Sequence, residues 1–209
     1  MGRVSQAQAR ENRERVVATA AELFRERGIA GVSVADISAA AGLTHGGFYK
    51  QFESKDALVG EAIAYAFAEQ AARLTEGPAG KEPAARETPE HEARKLDEPE
   101  ALGPEARRAL LDAYLSREHR DEPAVGCPTA GFAGDVARAA GGEAARQAYA
   151  AGVEAYARLL GTTGEPDLAA VSTMVGALLL ARATAGTALS ERILGAARAA
   201  LGEREAPLE

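Results

Sequence analysis

The sequence predicts an all-α protein of about nine helices: an N-terminal three-helix helix-turn-helix unit followed by a larger helical region. Three observations carry this. Alanine dominates the chain, β-branched runs are scarce, and apolar residues recur at helical rather than alternating spacing. No segment asks to be a strand.

Each element has its own local signal. Val16, Ala20, Leu23 and Phe24 form one apolar stripe of a helix from about Gln8 to Arg27, ended by Gly28 as a left-handed cap. Ser33 with Asp36 three residues on is a capping-box arrangement opening a short second helix through Val34, Ile37 and Ala41, stopped by Gly42. Thr44 caps a third short helix that turns Phe48 and Phe52 inward. Ser54 and Asp56 start a fourth through Leu58, Ala62, Tyr65 and Ala66. Between Glu76 and Pro104 five prolines, many charges and few large apolar residues predict a flexible loop. Helix resumes at Pro104, with a stripe of Leu110, Leu111, Tyr114 and Leu115, and runs towards Pro123. Further helices are expected from Pro128 to Gly141-Gly142, Glu143 to Leu160, Asp167 to Gly186 and Ser190 to Leu201. The domain boundaries that follow are 1–60 and 61–209.

Composition excludes several classes. Of 209 residues 46% are apolar and 26% charged, a globular balance, so most of the chain should fold. The longest apolar stretch, Leu168 to Ala181, falls short of the roughly 20 residues that span a bilayer. The N-terminal residues lack the apolar core of a secretory signal, and a cytoplasmic protein is expected. The single cysteine, Cys127, permits neither an internal disulfide nor a cysteine-rich zinc site; no metal or cofactor is expected. A net charge of −7 argues against nucleic acid until its distribution is considered. Residues 1–60 hold 8 Lys/Arg against 7 Asp/Glu, whereas the remainder holds 16 against 24. The acidity belongs to the second part, and Arg3, Arg10, Arg13 and Arg15 read as a basic N-terminal arm.

Two short helices joined across Gly42-Leu43-Thr44 and flanked by longer ones have the layout of a helix-turn-helix DNA reader. The segment GVSVADISAAAGLTHGGFYKQFESKDAL, Gly31 to Leu58, closely resembles the DNA-binding region of the tetracycline-repressor (TetR) family. The resemblance includes the glycine-led turn, the Phe48-Tyr49 pair, Phe52 and the Ser54-Lys55-Asp56 element. It covers residues 10–60; the rest matches in helical layout, apart from Gly126-Cys127-Pro128, which resembles one branch of the family. It implies a homodimeric transcriptional regulator, a repressor released from a palindromic operator by a small-molecule effector.

A short helix in the major groove meets base edges with its N-terminal residues and phosphates with its flanks. Thr44, His45 and Gly46 therefore face bases, and His45 can donate to guanine O6 or N7. Gly46 and Gly47 together cost about 2 kcal/mol of helix propensity, which a close approach to DNA explains. Tyr49, Lys50 and Lys55 are phosphate candidates, a role the resemblance also implies for Tyr49 and Lys55. Ser33 and Gln51 complete the DNA-facing set. Lys50 and Gln51 stand where the family more usually has an aromatic residue or histidine.

Beyond Gln70 the resemblance implies a helical ligand-binding and dimerisation domain. Val171, Val175, Leu178 and Leu179 on one helix, with Ile193, Ala197 and Leu201 on the next, are the expected dimer seam. The ligand or sensor candidates are Cys127, Tyr114, His119, Phe132, Tyr149 and Tyr156. Pro128 at a first helical position makes Cys127 an N-cap, where following amides favour a thiolate, with His119, Arg117 and Arg120 able to add positive charge. An electrophile- or redox-sensing regulator is the alternative that follows, against a buried thiol serving as a small apolar cap. An enzyme using Cys127 as nucleophile and His119 as base lacks an orienting third residue, so no enzyme is expected.

Overall fold

The computed structural model describes residues 6–76, 101–161 and 165–203. Ten helices and no strand occur among the described residues: α1 (Gln6–Arg27), α2 (Val34–Ala40), α3 (His45–Phe48), α4 (Lys55–Glu76), α5 (Pro104–Tyr114), α6 (Arg117–Asp121), α7 (Pro128–Ala137), α8 (Gly142–Leu160), α9 (Leu168–Ala183) and α10 (Ala188–Glu203). Arg3 and most of the expected loop, residues 77–100, lie outside the described residues.

The local start signals operate as chemistry. Ser33 Oγ accepts from Asp36 N–H, and the Asp36 carboxylate accepts from the Ser33 backbone. The Ser33 hydroxyl also lies 2.6 Å from that carboxylate, and its bond together with the backbone one holds the Asp36 carboxyl below the usual range. Thr44 Oγ1 accepts from Gly47 N–H at 3.1 Å, and Ser54 Oγ from Ala57 N–H at 3.1 Å. Gly28 ends α1 at φ +74°, the left-handed geometry expected there.

Three expectations need correction. Arg10, Arg13 and Arg15 are not an arm but part of α1. The helix expected from Pro104 to Pro123 is two, because Ser116 turns outward and caps α6 by accepting from His119 N–H. The stripe of Leu111, Tyr114 and Leu115 is buried up to the break, and α6 beyond it has no buried residue to mark a face of its own. The helix from Pro128 ends at Ala137, before Gly141, where Ala139 takes positive φ.

Two cores hold the molecule. The first joins Val16, Ala20 and Phe24 of α1, Ile37, Phe48, Phe52, and Leu58 to Phe67 of α4, with Phe132 and Val136 of α7 and Ala145 of α8. The second joins Leu111, Tyr114, Leu115, Cys127, Tyr156 and Leu160 to the inner sides of α9 and α10. Helix α4 crosses residue 60 without interruption, so the N-terminal unit and the rest share one rod. Its seat on α8 depends on Gly152: a Cβ there would come within 2.3 Å of the Phe67 ring.

Candidate nucleic-acid interface and adjoining cavity

Helix α3 is held from behind and open in front. Phe48 is fully buried and Phe52 nearly so, whereas Thr44, His45, Gly46, Tyr49 and Lys50 are exposed. Gly47 and Gln51 are half-buried and Ser33 exposed. The Tyr49 ring stands edge-on to both His45 and Phe48, at 5.2 and 5.3 Å between centroids, which orients the two exposed rings. A Cβ added at Gly46 would meet nothing within 4 Å. The fold therefore does not require glycine there, and its roughly 1 kcal/mol of lost propensity has no internal cause.

Arg13 is what fastens this surface. Its guanidinium donates to the Gln51 carbonyl, pairs with Glu61 at 2.6 Å and lies 4.2 Å over the Phe52 ring. It ties α1 to the end of the recognition segment and to α4, a role sequence reading missed by placing it in an arm. Lys55 also works internally: its Nζ donates to the Ile29 carbonyl and stands 5.7 Å over Phe24. An ammonium has three N–H donors, and this bond engages one of them.

A cavity of about 280 Å3 lies between α1, α4, α5 and the α6–α7 connection. Its walls include Arg25, Arg73, Leu110, Tyr114, His119 and Cys127. One carboxylate serves two cations: Glu69 pairs with Arg25 at 3.1 Å and Arg73 at 2.9 Å, and Arg73 also donates to the Val125 carbonyl, while the buried Arg25 Nε has no partner. His119 Nε2 accepts from Cys127 N–H at 3.1 Å, so the proton sits on Nδ1, which meets the Tyr114 carbonyl at 2.7 Å. Burial lowers the His119 pKa further, keeping the ring neutral.

That geometry corrects the expected cationic surroundings of Cys127. His119 is uncharged, and both its nitrogens are committed to backbone, so neither faces the thiol as a base. Arg117 and Arg120 pair with Glu191, at 2.6 and 2.9 Å, and Arg120 also with Asp121. The cation beside the loop is Arg182, which donates to the carbonyls of His119 and Arg120. Its one sequence signal is its place at the end of the apolar run. Cys127 occupies the N-cap position of α7, with Pro128 in the first turn, but its side chain makes no cap hydrogen bond and is buried.

Of the six sensor candidates, Cys127, Tyr114 and His119 line the cavity, and the Tyr156 ring lies 6.4 Å from that of Tyr114. Phe132 belongs to the first core. Tyr149 packs on Phe67 and donates to the Thr129 carbonyl at 2.8 Å; burial pushes its phenol up to about 12. Those two are structural.

Helix α7 links cavity and recognition unit. At one end is Cys127; two turns on, about 12 Å along the axis, Asp135 accepts the buried Ile29 N–H at 3.0 Å in the α1–α2 turn. Asp135 was missed by sequence reading, although it is the one acid in an otherwise apolar helix.

The family described as "Bacterial regulatory proteins, tetR family" matches residues 16–62, which contain this interface. Residues 16–62 are thus similar to the DNA-binding segment of that family. It is 43% identical over 51 residues to the HTH-type transcriptional repressor DhaR of Mycobacterium sp. (strain GP1), and 36% over 55 residues to the HTH-type transcriptional regulator YerO of Bacillus subtilis (strain 168). Those matches take in 24% and 26% of this chain and only 26% and 19% of the relatives' own lengths. In fold the likeness is wider. The crystal structure of a TetR transcriptional regulator from Chloroflexus aurantiacus superposes with a TM-score of 0.61 over 95% of this chain and 96% of that one, at 24% identity.

The expected dimer seam is not one face. Leu178 and Leu201 are essentially inaccessible, Val171 and Ala197 are buried, and all four pack inside the second core. Val175 and Ile193 are half-buried at its edge, and Leu179 is exposed. Helix α9 is apolar nearly all round, so a stripe cannot tell its inner side from its outer one. The outward side carries Leu168, Leu179 and Leu180, with Leu189 at the start of α10.

Proposed function

We propose that this transcriptional regulator binds a palindromic duplex as a cytoplasmic homodimer, represses, and releases its operator when a small molecule enters the cavity. The observation that carries the DNA part is α3: its start is capped, exposed and glycine-thin, while its Phe48 is locked in the core. Thr44, His45 and Gly46 are assigned to base edges; Tyr49, Lys50 and Lys55 to phosphates, with Ser33 and Gln51 at the flanks. The outer leucines of α9 and α10 are assigned to the dimer contact. The repressor sign is taken from DhaR, a repressor by name.

Release is supported by α7, which shares one end with the cavity and holds the α1–α2 turn with the other. A ligand displacing Cys127 moves Asp135, and with it the unit carrying α3. The test is fluorescence anisotropy on a duplex selected by the protein. Lys50→Ala should weaken specific and random DNA alike and flatten the salt dependence, while His45→Ala should relax preference at one position per half-site. Equal losses on both DNAs for both variants would overturn the assignments.

A second reading makes the thiol the sensor. It is favoured by one observation: Cys127 is part of the cavity wall, so a reactive compound that enters meets Sγ. Rapid labelling of native protein with loss of DNA binding, both abolished in Cys127→Ser, is its expected result. Labelling only after unfolding removes it.

A further inference from the structure

The cavity wall carries an imbalance of charge. Its two charged side chains, Arg25 and Arg73, are both cations, and none of the described residues that line it is acidic. The carboxylate that pairs with them, Glu69, is shared: Oε2 meets Arg25 Nη2 at 3.1 Å and Oε1 meets Arg73 Nη2 at 2.9 Å. Two guanidinium groups against one carboxylate leave one net positive charge.

Arg25 bears most of this cost. Its side chain is 1% exposed, its one hydrogen bond among the described residues is to Glu69, and its Nε has no partner. A guanidinium has five N–H donors, and burying such a charge is unfavourable unless it is paired and bonded. Arg73 stands at the rim, half-exposed, with one donor fixed to the Val125 carbonyl. His119 adds no charge: burial keeps it neutral, and Arg182 and Glu122 act on it in opposite senses. Leu74, Leu110, Val125 and the Tyr114 ring give the same cavity an apolar lining. An apolar hole of about 150 Å3 holds benzene, so about 280 Å3 suits a single ring with a small substituent.

We propose that the cavity binds a small monocarboxylate with an apolar body, its carboxylate bridging Arg25 and Arg73 beside Glu69. This rests on the effector reading above and adds the ligand's chemical class. Glu69 demonstrates that one carboxylate reaches both arginines, one oxygen to each, and the planar guanidinium fork fits that group. A monoanion brings the cluster to neutrality; a dianion would carry an unmatched charge into the protein, and a cation would add to the excess. The site also adjoins the recognition unit. Arg25 is on α1, four residues before the Ile29 N–H that Asp135 holds, and Gly131 of α7 packs on its stem, where a Cβ would come within 3.0 Å of Arg25 Cγ. A ligand drawn to Arg25 therefore acts on α1 and α7 together.

The experiment is calorimetric titration of the full chain, without DNA, with three probes of one shape and different charge: benzoate, benzamide and benzamidinium. Acetate and the phenylphosphonate dianion complete the set. Benzoate should bind about tenfold tighter than benzamide, the difference between a charge-assisted and a neutral contact, while benzamidinium, and acetate with no apolar body, should not bind measurably. Arg73→Gln, at a half-exposed site, should bring benzoate down to the level of benzamide and leave benzamide unchanged. Glu69→Gln, which keeps the shape and removes the competing charge, should tighten benzoate; damage to the fold would weaken it, so this variant decides alone if Arg73→Gln does not fold. Ala113→Phe, which narrows the cavity from an exposed position of α5, should weaken benzoate and benzamide alike. Benzamide, benzamidinium or acetate matching benzoate, tighter binding of the dianion, unchanged benzoate affinity in Arg73→Gln or Ala113→Phe, weaker benzoate binding in Glu69→Gln, or binding of no probe overturns the proposal. Adding DNA separates the two readings. Arg73-dependent benzoate binding that leaves DNA affinity unchanged defeats ligand release but keeps the ligand class. Release of DNA by benzamide or benzamidinium alone does the reverse.

Discussion

The recognition unit and the outer helix pair are built from equally alanine-rich helices, yet they differ in what fixes them. In residues 28–58 each helix start is set by one short polar side chain bonding the backbone three residues on, as Ser33, Thr44 and Ser54 do. In α9 and α10 the outcome is set by which side of an all-round apolar helix meets its neighbours. Local bonds are written in adjacent residues; burial depends on the whole assembly. Position within the fold, more than residue type, therefore decides what a leucine does in this chain.

Neighbouring leucines on α9 give the sharpest way to break that comparison. Leu178→Ala should destabilise the fold by about 2–5 kcal/mol in urea denaturation, because it empties a site that nothing else fills. Leu179→Ala, one residue away and 41% exposed, should change monomer stability by less than about 0.5 kcal/mol. Leu179→Glu should instead lower the dimer fraction in sedimentation. Similar destabilisation by both alanine variants would mean that α9 is oriented differently.

Asp135 tests the link between the regions. Asp135→Ala leaves the Ile29 N–H buried and unpaired, for an expected loss of about 1–3 kcal/mol. Cavity probes should still bind, with their effect on DNA affinity reduced. Full retention of that effect would move the coupling to another path.

Gly46→Ala separates fold from function in the recognition unit. With open space around the added methyl, thermal stability should rise by about 1 kcal/mol while operator affinity falls. Stability gained with DNA affinity intact would remove Gly46 from the groove.

The smallest expected effect is on pH dependence. His119 has its pKa lowered in the fold by burial, so the unfolded chain binds its proton first as pH falls. Its contribution is fully present above about pH 6.5 and declines below it, towards the depressed folded value. His119→Gln should flatten the stability curve in that window, and an unchanged slope would contradict the neutral ring.

These contrasts also define what was legible in the residues. The caps at Ser33, Thr44 and Ser54, the left-handed Gly28 and the starts at Pro104 and Pro128 were all readable, because each is a bond or a φ constraint within a few residues. The break at Ser116 was missed because α6 beyond it is all polar and has no apolar stripe of its own. The inward turn of Lys55, the Arg13 clamp and the Asp135 bond join residues 26, 38 and 106 positions apart, and no local pattern announces such partners. Tyr114, His119 and Cys127 come together in one cavity wall, whereas Phe132 and Tyr149 look the same in sequence and belong to the other core.

The most direct test of a DNA reader with two recognition helices is selection of duplexes from a random pool by the full chain, followed by sequencing. A palindrome should be enriched, with half-site centres about one helical repeat, 34 Å, or a multiple apart, and Gly46→Ala with His45→Ala should lose the enrichment. A pool that stays random, or an enriched site without twofold symmetry, would contradict the account.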